Sequence, residues 1–483
     1  MKYLTTRAPL VVAALVAALV ALTSTPAAAI QPLGEFLVAA RTHNHDNREA
    51  ALVVRQREHQ VDQAKWDMTP TIGVSAAYTR NQYQVQVTLP GADPQNPITR
   101  TITPFNQVDA QVTLTQPIVD VAIFRNIEVS RSALAASAAR VGATRLQVEQ
   151  AVAQAYYQVV AAEAFIRATL EVHQAARANL DIVEQRAAAG VASDLDRRRA
   201  QVEVERGNKA IADAEYNLAI ARQRIVSLSG LEAQPGELAL AVALSEEPPL
   251  ATFMDGQIDQ VASVRSSTAD AKNADIQVRA ATALLYPTLS ASASERFTNA
   301  TGFLGKYAIA SASLNLAWRF DLAIIPQLRA ARTQSALAQV RVDRSRQQAR
   351  DAVHNAWHQV KAALAKARSA RVERDTSRAA FKQARQRYEA GTGIFLEVTQ
   401  AERDAFSAQI SLIQANADLA YARISLRLAA GRDLREAEVL LRDTGEPTEH
   451  EPPVATATPP APGEEAAPGQ PVNESPKPLE LAR

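Results

Sequence analysis

The chain has 483 residues and a formal net charge of +1 at pH 7, so its overall charge gives no reason to expect a nucleic acid or another polyanion as partner. It contains no cysteine, which excludes disulfides, thiolate metal sites and lipidation of an N-terminal cysteine. Aromatic residues make up only 5% of the sequence, and together with abundant alanine this composition favours long helices over a bulky globular core.

The first 29 residues have the pattern of a secretory signal peptide. A basic start is followed by an apolar run at 8–22 and by three alanines at 27–29, which form a small-residue cleavage site. The apolar run is short for a membrane-spanning helix of about 20 residues, although a retained anchor is the competing interpretation. We expect an exported protein whose mature chain begins near Ile30. No other stretch has the length and apolarity of a membrane-spanning helix, so insertion into a membrane would require strands.

The rest of the chain contains two similar halves. The segment QRAAAGVASDLDRRRA at 185–200 recurs 201 residues later as QRYEAGTGIFLEVTQA at 386–401. A duplicated unit of about 200 residues is too long for a solenoid repeat. We therefore predict two structural repeats, at 30–230 and 253–432, joined by a linker at 231–252.

Each repeat contains two segments in which apolar residues alternate with small polar ones, the pattern of a β-strand. They lie at about 71–80 and 107–117 in the first repeat and at about 287–297 and 307–318 in the second. Alternation over about ten residues fits the tilted strands of outer-membrane barrels, but it also fits a half-buried antiparallel sheet. The first repeat has a longer loop between its strands.

A long helix follows each strand pair. Residues 118–189 include one glycine and no proline, and residues 327–390 include neither. At about 1.5 Å per residue, each helix could extend on the order of 100 Å. Apolar residues recur at intervals of seven, as in Val152 and Val159, which predicts coiled-coil packing. Since these residues are small and polar residues surround them, the helices suit the wall of a tunnel better than the centre of a solid bundle.

Each long helix is predicted to end at a glycine. Gly190 and Gly391 stand where a left-handed backbone conformation is favoured after a helix, and a second helix follows each of them. Ser193 or Asp194 can cap the returning helix of the first repeat. The two helical hairpins should therefore point their tips the same way, with the strands at the opposite end.

Four strands per chain leave a sheet with two open edges. Such edges cannot face lipid, because each unpaired backbone group costs several kcal/mol there. A membrane sheet would therefore close with strands from other copies of the chain. Two copies would supply eight strands and three would supply twelve, and only the larger closure leaves room for water. The physics of the sequence leaves both numbers open.

The chain resembles the TolC-like outer-membrane efflux protein family over residues 31–432. The resemblance rests on the duplication, the tip segments, the Pro-Thr-Ile and Pro-Thr-Leu strand starts, and LTQPIVD at 114–120. RYEAG at 387–391 and LEVTQAERD at 396–404 are similar to the family's second-hairpin signature. The resemblance implies a mainly α homotrimer with a twelve-stranded barrel in the outer membrane and a tunnel of twelve coiled-coil helices, an α-barrel, in the periplasm.

This resemblance also implies a function and partners. Members of the family passively export drugs, metals or other small solutes together with a periplasmic adaptor (membrane fusion protein) and an inner-membrane transporter of the RND, ABC or MFS type. The remaining expected contact is outer-membrane lipid, and no nucleic acid, cofactor or enzymatic activity is predicted. Two alternatives stay open: type I protein secretion, and a non-transporting coiled-coil envelope protein.

The resemblance assigns site residues at the hairpin tips. By this resemblance, the residues expected to contact the periplasmic adaptor are Gly190, Val191, Ser193 and Gly391.

The resemblance also implies a gate that closes the periplasmic entrance of the tunnel, and it assigns Glu397, Gln400, Asp196 and Tyr388 to that gate. Glu397 occupies one gate-acid position, while Gln400 stands where a second acid often occurs, so a weaker acidic ring is expected. Gly393 occupies the position of the arginine in the family's latch network, which puts that latch in doubt.

Arg197 or Arg198 could replace that arginine. Three copies of Glu397 around a narrow axis would concentrate negative potential and attract cations. The alternative is a solvated helix face that happens to carry Glu397.

Two further segments need an interpretation. His354 and His358 lie one helical turn apart, and THNHDN at 42–47 is rich in polar residues, but neither has the other features of a metal site. We therefore predict no metal. The C-terminal extension at 433–483 is rich in proline, alanine and glutamate, and from about residue 446 we expect it to be disordered.

Overall fold

The computed structural model describes residues 30–90, 98–234, 242–254, 258–319 and 321–432. The predicted signal peptide, the C-terminal extension and part of the inter-repeat linker lie outside these ranges, so the predictions made for them stay predictions.

The first repeat contains two short helices, four strands and two long helices. In chain order they are α1 (Leu33–His43), α2 (His45–Trp66), β1 (Thr71–Arg80), β2 (Val85–Leu89), β3 (Ile98–Thr103), β4 (Asn106–Val119), α3 (Val121–Ala188) and α4 (Asp194–Ser229). Polar side chains define two of the helix starts. Asn44 accepts backbone hydrogen bonds at the start of α2, and Asp120 does the same at the start of α3.

The second repeat has a similar order of elements, but its two strands are joined by a shorter connection in which no counterpart of β2 and β3 is described. It contains α5 (Ala251–Met254), a 3₁₀ turn (Ile258–Gln260), α6 (Ala262–Ala283), β5 (Thr288–Thr298), β6 (Ala308–Ala317), α7 (Ile324–Glu389) and α8 (Phe395–Ala429). Helices α3 and α7 have 68 and 66 residues, which corresponds to about 100 Å each at about 1.5 Å per residue.

One antiparallel sheet joins the two repeats. Its strand order is β1-β4-β5-β6, so the central pair, β4 with β5, connects the first repeat to the second. Neither edge strand, β1 or β6, has a further partner among the described residues. The prediction of a duplicated, mainly α chain that contributes four strands to a sheet is confirmed.

The longer loop of the first repeat contains more structure than we predicted. Strands β2 and β3 form a separate two-stranded ribbon there, so six strands are described rather than four. Its alternating residues, VQVTL at 85–89 and ITRTIT at 98–103, account for the pairing. The ribbon lies beside the β5–β6 connection, where the Gly302 N–H donates to the Thr101 carbonyl at 3.2 Å.

The long helices pack side by side along narrow apolar seams. Helix α3 contacts α4 and α8, and α7 contacts α8. Residues of the predicted seven-residue pattern are fully buried, including Val152, Val159, Val353, Leu419 and Leu426. This burial follows from the coiled-coil spacing, which returns the same face of each helix to its neighbour. Within the described ranges, no helix combines the length and the apolarity needed to cross a membrane.

The described part of the linker is fixed by a buried ionic cluster. Arg423 of α8 donates to the carbonyl oxygens of Ala243 and Ser245 at 2.8 and 2.7 Å. Glu247 lies 3.0 Å from Arg423 Nε and 3.2 Å from Arg427 Nη2, and all three side chains are at most 8% exposed. Because breaking a buried charge pair leaves an unpaired charge, this cluster holds the linker against α8.

Candidate functional sites at the sheet and the hairpin tips

The four-stranded sheet has one apolar face and one polar face. The pairing places the following residues on the apolar face: Ile72, Val74, Ala76, Tyr78, Val108, Ala110, Val112, Leu114, Leu289, Ala291, Ala293, Phe297, Ala308, Ala310, Ala312, Leu314 and Leu316. Among the described strands of this sheet, Arg80 and Glu295 are the charged residues on this face. Although apolar, the face is open: Ile72, Val74, Leu314 and Leu316 are each more than 70% exposed.

The opposite face consists mainly of Ser, Thr, Gln and Asn side chains that bond across the strands. Ser292 and Ser313 share a hydrogen bond of 2.8 Å between their hydroxyl oxygens, and Ser294 and Ser311 share one of 3.0 Å. This alternation is the one expected of strands with lipid on one side and water on the other.

Aromatic residues lie at both ends of the apolar face. Trp318 and Tyr286 are exposed next to the helices, and Tyr78 and Phe297 are exposed at the opposite end of the strands. Trp and Tyr favour the boundary between lipid and water because their rings are apolar and carry one polar group, and aromatic residues in general form girdles at both boundaries of such barrels. Their positions therefore mark the two limits of a membrane-facing band.

The predicted docking residues lie on the exposed hairpin turns. Gly190 and Gly391 have φ angles of +73° and +77°, a conformation that other residues adopt only with strain. Nothing lies within 4 Å of a Cβ built on either glycine, so the backbone conformation, and not crowding, requires them. Val191 is 67% exposed, and Ser193 is exposed as well. The docking role of these four residues stays a prediction.

Ser193 and Asp196 bond to each other at the start of α4. The Asp196 N–H donates to Ser193 Oγ at 3.1 Å, and Asp196 Oδ2 accepts from the Ser193 hydroxyl at 2.7 Å and from its N–H at 3.4 Å. This is a capping box, which satisfies backbone donors that have no partner in the helix. Ser193, one of the two predicted candidates, is the cap, and Asp196 has a structural role within the chain besides its expected place in the gate.

The suggested arginine replacements do not reach the latch within this chain. Arg197 Nη2 and Arg198 Nε lie 2.6 and 2.9 Å from the carboxylate oxygens of Asp194. The reason is their spacing, since residues three and four positions apart are neighbours on a helix. The two arginines hold the pKa of Asp194 below its usual value, with Arg197 as the larger cause.

Tyr388 lies at a contact between the two hairpins that also involves an unpredicted arginine. Arg186 of α3 donates from Nη1 to the Tyr388 carbonyl oxygen at 3.0 Å, and its guanidinium lies 4.6 Å from the centre of the Tyr388 ring. The ring packs on Phe395, which is buried with Val183. Burial raises the pKa of Tyr388, Asp196 raises it further, and Arg186 opposes the shift. Tyr388 therefore connects the tips.

The predicted gate residues Glu397 and Gln400 are both exposed in the first turns of α8. A carboxylate oxygen of Glu397 lies 3.6 Å from Arg387 Nη1. A Cβ on Gly393 would lie 3.2 Å from both Arg387 Cβ and the Tyr388 nitrogen, so a side chain at position 393 would push against this turn. Arg387 thus provides a guanidinium near Glu397, the predicted gate acid, although position 393 has none.

Whether the two histidine-containing segments could bind a metal depends on the side chains that surround them. The described residues contain no group of three or more metal-ligating side chains. The rings of His354 and His358 lie 4.5 Å apart, and His358 contacts the Trp357 ring edge to face. Asn44, in the other segment, is the cap of α2.

Comparison with known proteins identifies similar chains. The family model for outer membrane efflux proteins matches residues 36–231 and 258–432. The protein CyaE of Bordetella pertussis is 29% identical over 286 residues, which cover 57% of this chain and 60% of CyaE, less than two thirds of its length.

Solved structures share the fold. The outer-membrane channel OprN is 22% identical, with a TM-score of 0.64 over 83% of this chain and 90% of OprN. The outer membrane channel CmeC of Campylobacter jejuni is 16% identical, with a TM-score of 0.67 over 85% of this chain and 90% of CmeC. At these identities the likeness concerns the fold.

Proposed function

This chain belongs to the outer membrane efflux protein family, and from this premise we propose that three copies form a passive channel of a tripartite efflux system. The channel exports small toxic solutes, such as drugs, metals or organic compounds. It receives them from a periplasmic adaptor and an inner-membrane transporter of the RND, ABC or MFS type. The family is one of channels rather than enzymes, and the transporter supplies the energy and selects the solute.

The two-faced sheet with unpaired edges is the observation that supports this proposal most strongly. Its exposed apolar face requires lipid, since a patch of this kind is unfavourable in water. Its polar face requires water or polar partners. Strands β1 and β6 have no outer partners among the described residues, and unpaired strand edges are not tolerated in lipid. Strands from other copies must therefore complete the sheet.

Three copies meet these requirements together. Twelve strands close a barrel that is wide enough for water, whereas an eight-stranded barrel is filled by its own side chains. Four long helices per chain then supply a wall of twelve helices that continues from the barrel. The polar face of the sheet lines the passage, and its Ser, Thr and Gln side chains are compatible with a range of solutes.

The hairpin tips form the periplasmic entrance in this proposal. Glu397, Gln400, Asp196 and Tyr388 are assigned to the gate, and the exposed turns with Gly190, Val191, Ser193 and Gly391 are assigned to adaptor docking. The contact of Arg186 with Tyr388 supports the assignment because it joins the two hairpins of one subunit. Separation of the hairpins would have to break this contact.

The proposal can be tested on the full-length protein. Outer-membrane fractions should contain heat-stable trimers, the purified trimer should conduct ions in planar bilayers, and deletion of the gene should increase sensitivity to toxic solutes. A coiled-coil envelope protein without transport function would give no conductance, and that result would reject the channel. Loss of a secreted protein from the medium, with unchanged solute sensitivity, would favour type I secretion instead.

A further inference from the structure

Two acidic side chains that the gate assignment does not use lie in the contact between the hairpins. Glu402 is on α8, five residues after Glu397, and Glu203 is on α4. Asn179 of α3, in the first hairpin, donates from Nδ2 to Glu402 Oε2 in the second hairpin at 3.2 Å. This contact joins residues that are 223 positions apart in the sequence.

Only one oxygen of the Glu402 carboxyl group forms a hydrogen bond within the described residues. Its second oxygen, Oε1, is buried and has no hydrogen-bond partner among the described residues. A negative charge on such a group is unfavourable, because the carboxylate has lost water and gained only one amide donor. A proton on Glu402 removes this unfavourable charge without any change of position.

The neighbouring acid has a different environment. Glu203 is 15% exposed, and its Oε1 accepts from Arg206 Nη1 at 2.7 Å. Arg403 of α8 also binds Glu203, donating from Nε to Oε2 at 3.2 Å and from Nη2 to Oε1. Glu203 thus has two arginines for its charge, whereas Glu402 has none within hydrogen-bond distance.

Every long helix contributes a polar or charged group to this cluster. Asn179 comes from α3 and Glu203 from α4, while Arg385 comes from α7 and Arg403 from α8 itself. Burial raises the pKa of Glu402 to about 7, Asn179 opposes the shift, Glu203 adds to it and Arg385 opposes it. Arg385 is itself paired with Glu389 at 2.8 Å.

We propose that Glu402 is a protonation-dependent latch between the two hairpins of each subunit. Neutral Glu402 keeps α8 against α3 and α4, and ionised Glu402 loosens this contact. Because the contact lies near the tips, ionisation favours opening at the periplasmic end. The link to opening rests on the proposed channel function, whereas the loosening of the contact does not.

The direction and size of the pH effect follow from linkage. In an opened state, where Glu402 meets water, its pKa returns toward the ordinary value of 4.5. Below pH 4.5 the Glu402 carboxyl is protonated in both states, so closure is strongest there and does not depend on pH. Closure weakens as the pH rises from 4.5 to about 7, because only the opened state then gains the ionised form readily. Between pH 6 and pH 8 the equilibrium for opening should increase about tenfold.

Hydrogen exchange on the purified trimer tests the latch without relying on transport. Peptides from the C-terminal part of α3 and the N-terminal part of α8 are compared at pH 6 and pH 8, after correction for intrinsic exchange rates. The wild type should show about tenfold greater opening at pH 8. Glu402→Gln, which keeps the shape of the neutral side chain, should show equal protection at both values. Asp404→Asn removes an exposed charge from the same helix and should behave like the wild type.

Two further variants shift the midpoint in opposite directions. Glu203→Gln removes a repelling charge and should move the transition to lower pH, while Asn179→Ala removes the amide donor and should move it to higher pH. Equal wild-type protection at both pH values, or an unchanged pH dependence in Glu402→Gln, would overturn the proposal. Planar-bilayer conductance of the same samples separates the two claims, since pH-dependent exchange without any conductance would reject the channel and keep the latch.

Discussion

An arginine on the apolar face of the sheet tests whether that face meets lipid. Val74 lies near the middle of β1, a strand of 10 residues, and its side chain is 75% exposed. At about 3.3 Å per residue and a tilt of about 40°, such a strand crosses the apolar layer once. Val74→Arg therefore places a charge near the centre of the bilayer. The expected loss is about 2–4 kcal/mol per chain, and a trimer carries it three times.

The adjacent residue provides the matched control. Ser75 lies on the same strand and is also exposed, but its side chain is on the polar face. Ser75→Arg places the same charge on the polar face, which lines the proposed passage, so little or no loss of stability is expected. The midpoint of denaturant-induced unfolding, measured in lipid vesicles, and the fraction of heat-stable trimer should fall for Val74→Arg and stay near wild type for Ser75→Arg. Equal effects, or a larger loss for Ser75→Arg, would refute the assignment of the two faces.

Three further predictions concern the hairpin tips. Arg186→Met removes the hydrogen bond and ring contact to Tyr388 and should weaken the inter-hairpin contact by about 1–2 kcal/mol, seen as longer open times in planar bilayers; the exposed Arg177→Met should have no such effect. Gly391→Ala forces alanine into a left-handed conformation at a cost of about 1 kcal/mol, so the end of α7 should exchange its amide hydrogens about fivefold faster, and unchanged exchange would contradict the strain argument. Glu397→Ala should reduce the preference for cations or loosen closure, and unchanged conductance and selectivity would reject its place in the gate.

Much of the architecture could be predicted because it depends on local patterns. The alternation in TIGVSAAYT predicts one apolar and one polar face, and the structure has both. The spacing of Val152 and Val159 predicts a seam, and both residues are fully buried. Gly190 and Gly391 predict left-handed turns, and both have positive φ angles. In each case the neighbours in the sequence carry the necessary information.

The contacts between hairpins could not be predicted in this way. Arg186 meets Tyr388 across 202 positions, and Asn179 meets Glu402 across 223. No periodicity connects such residues, because their distance depends on how the two hairpins pack. The same reason explains why the cluster of Glu247, Arg423 and Arg427 was missed. The β2–β3 ribbon differs from the sequence prediction for another reason: its strands have only five and six residues, too short for their alternation to stand out from a loop.

The two hairpins differ in how their returning helices begin. Helix α4 starts with the reciprocal bonds of Ser193 and Asp196, whereas α8 starts after Ile394, whose side chain forms no capping hydrogen bond. A side-chain cap stabilises a helix start by about 1 kcal/mol. The first turn of α8 should therefore fray more readily than that of α4, and around an assembled ring firm and yielding segments would alternate. Any widening of the entrance would then begin at three of its six hairpins.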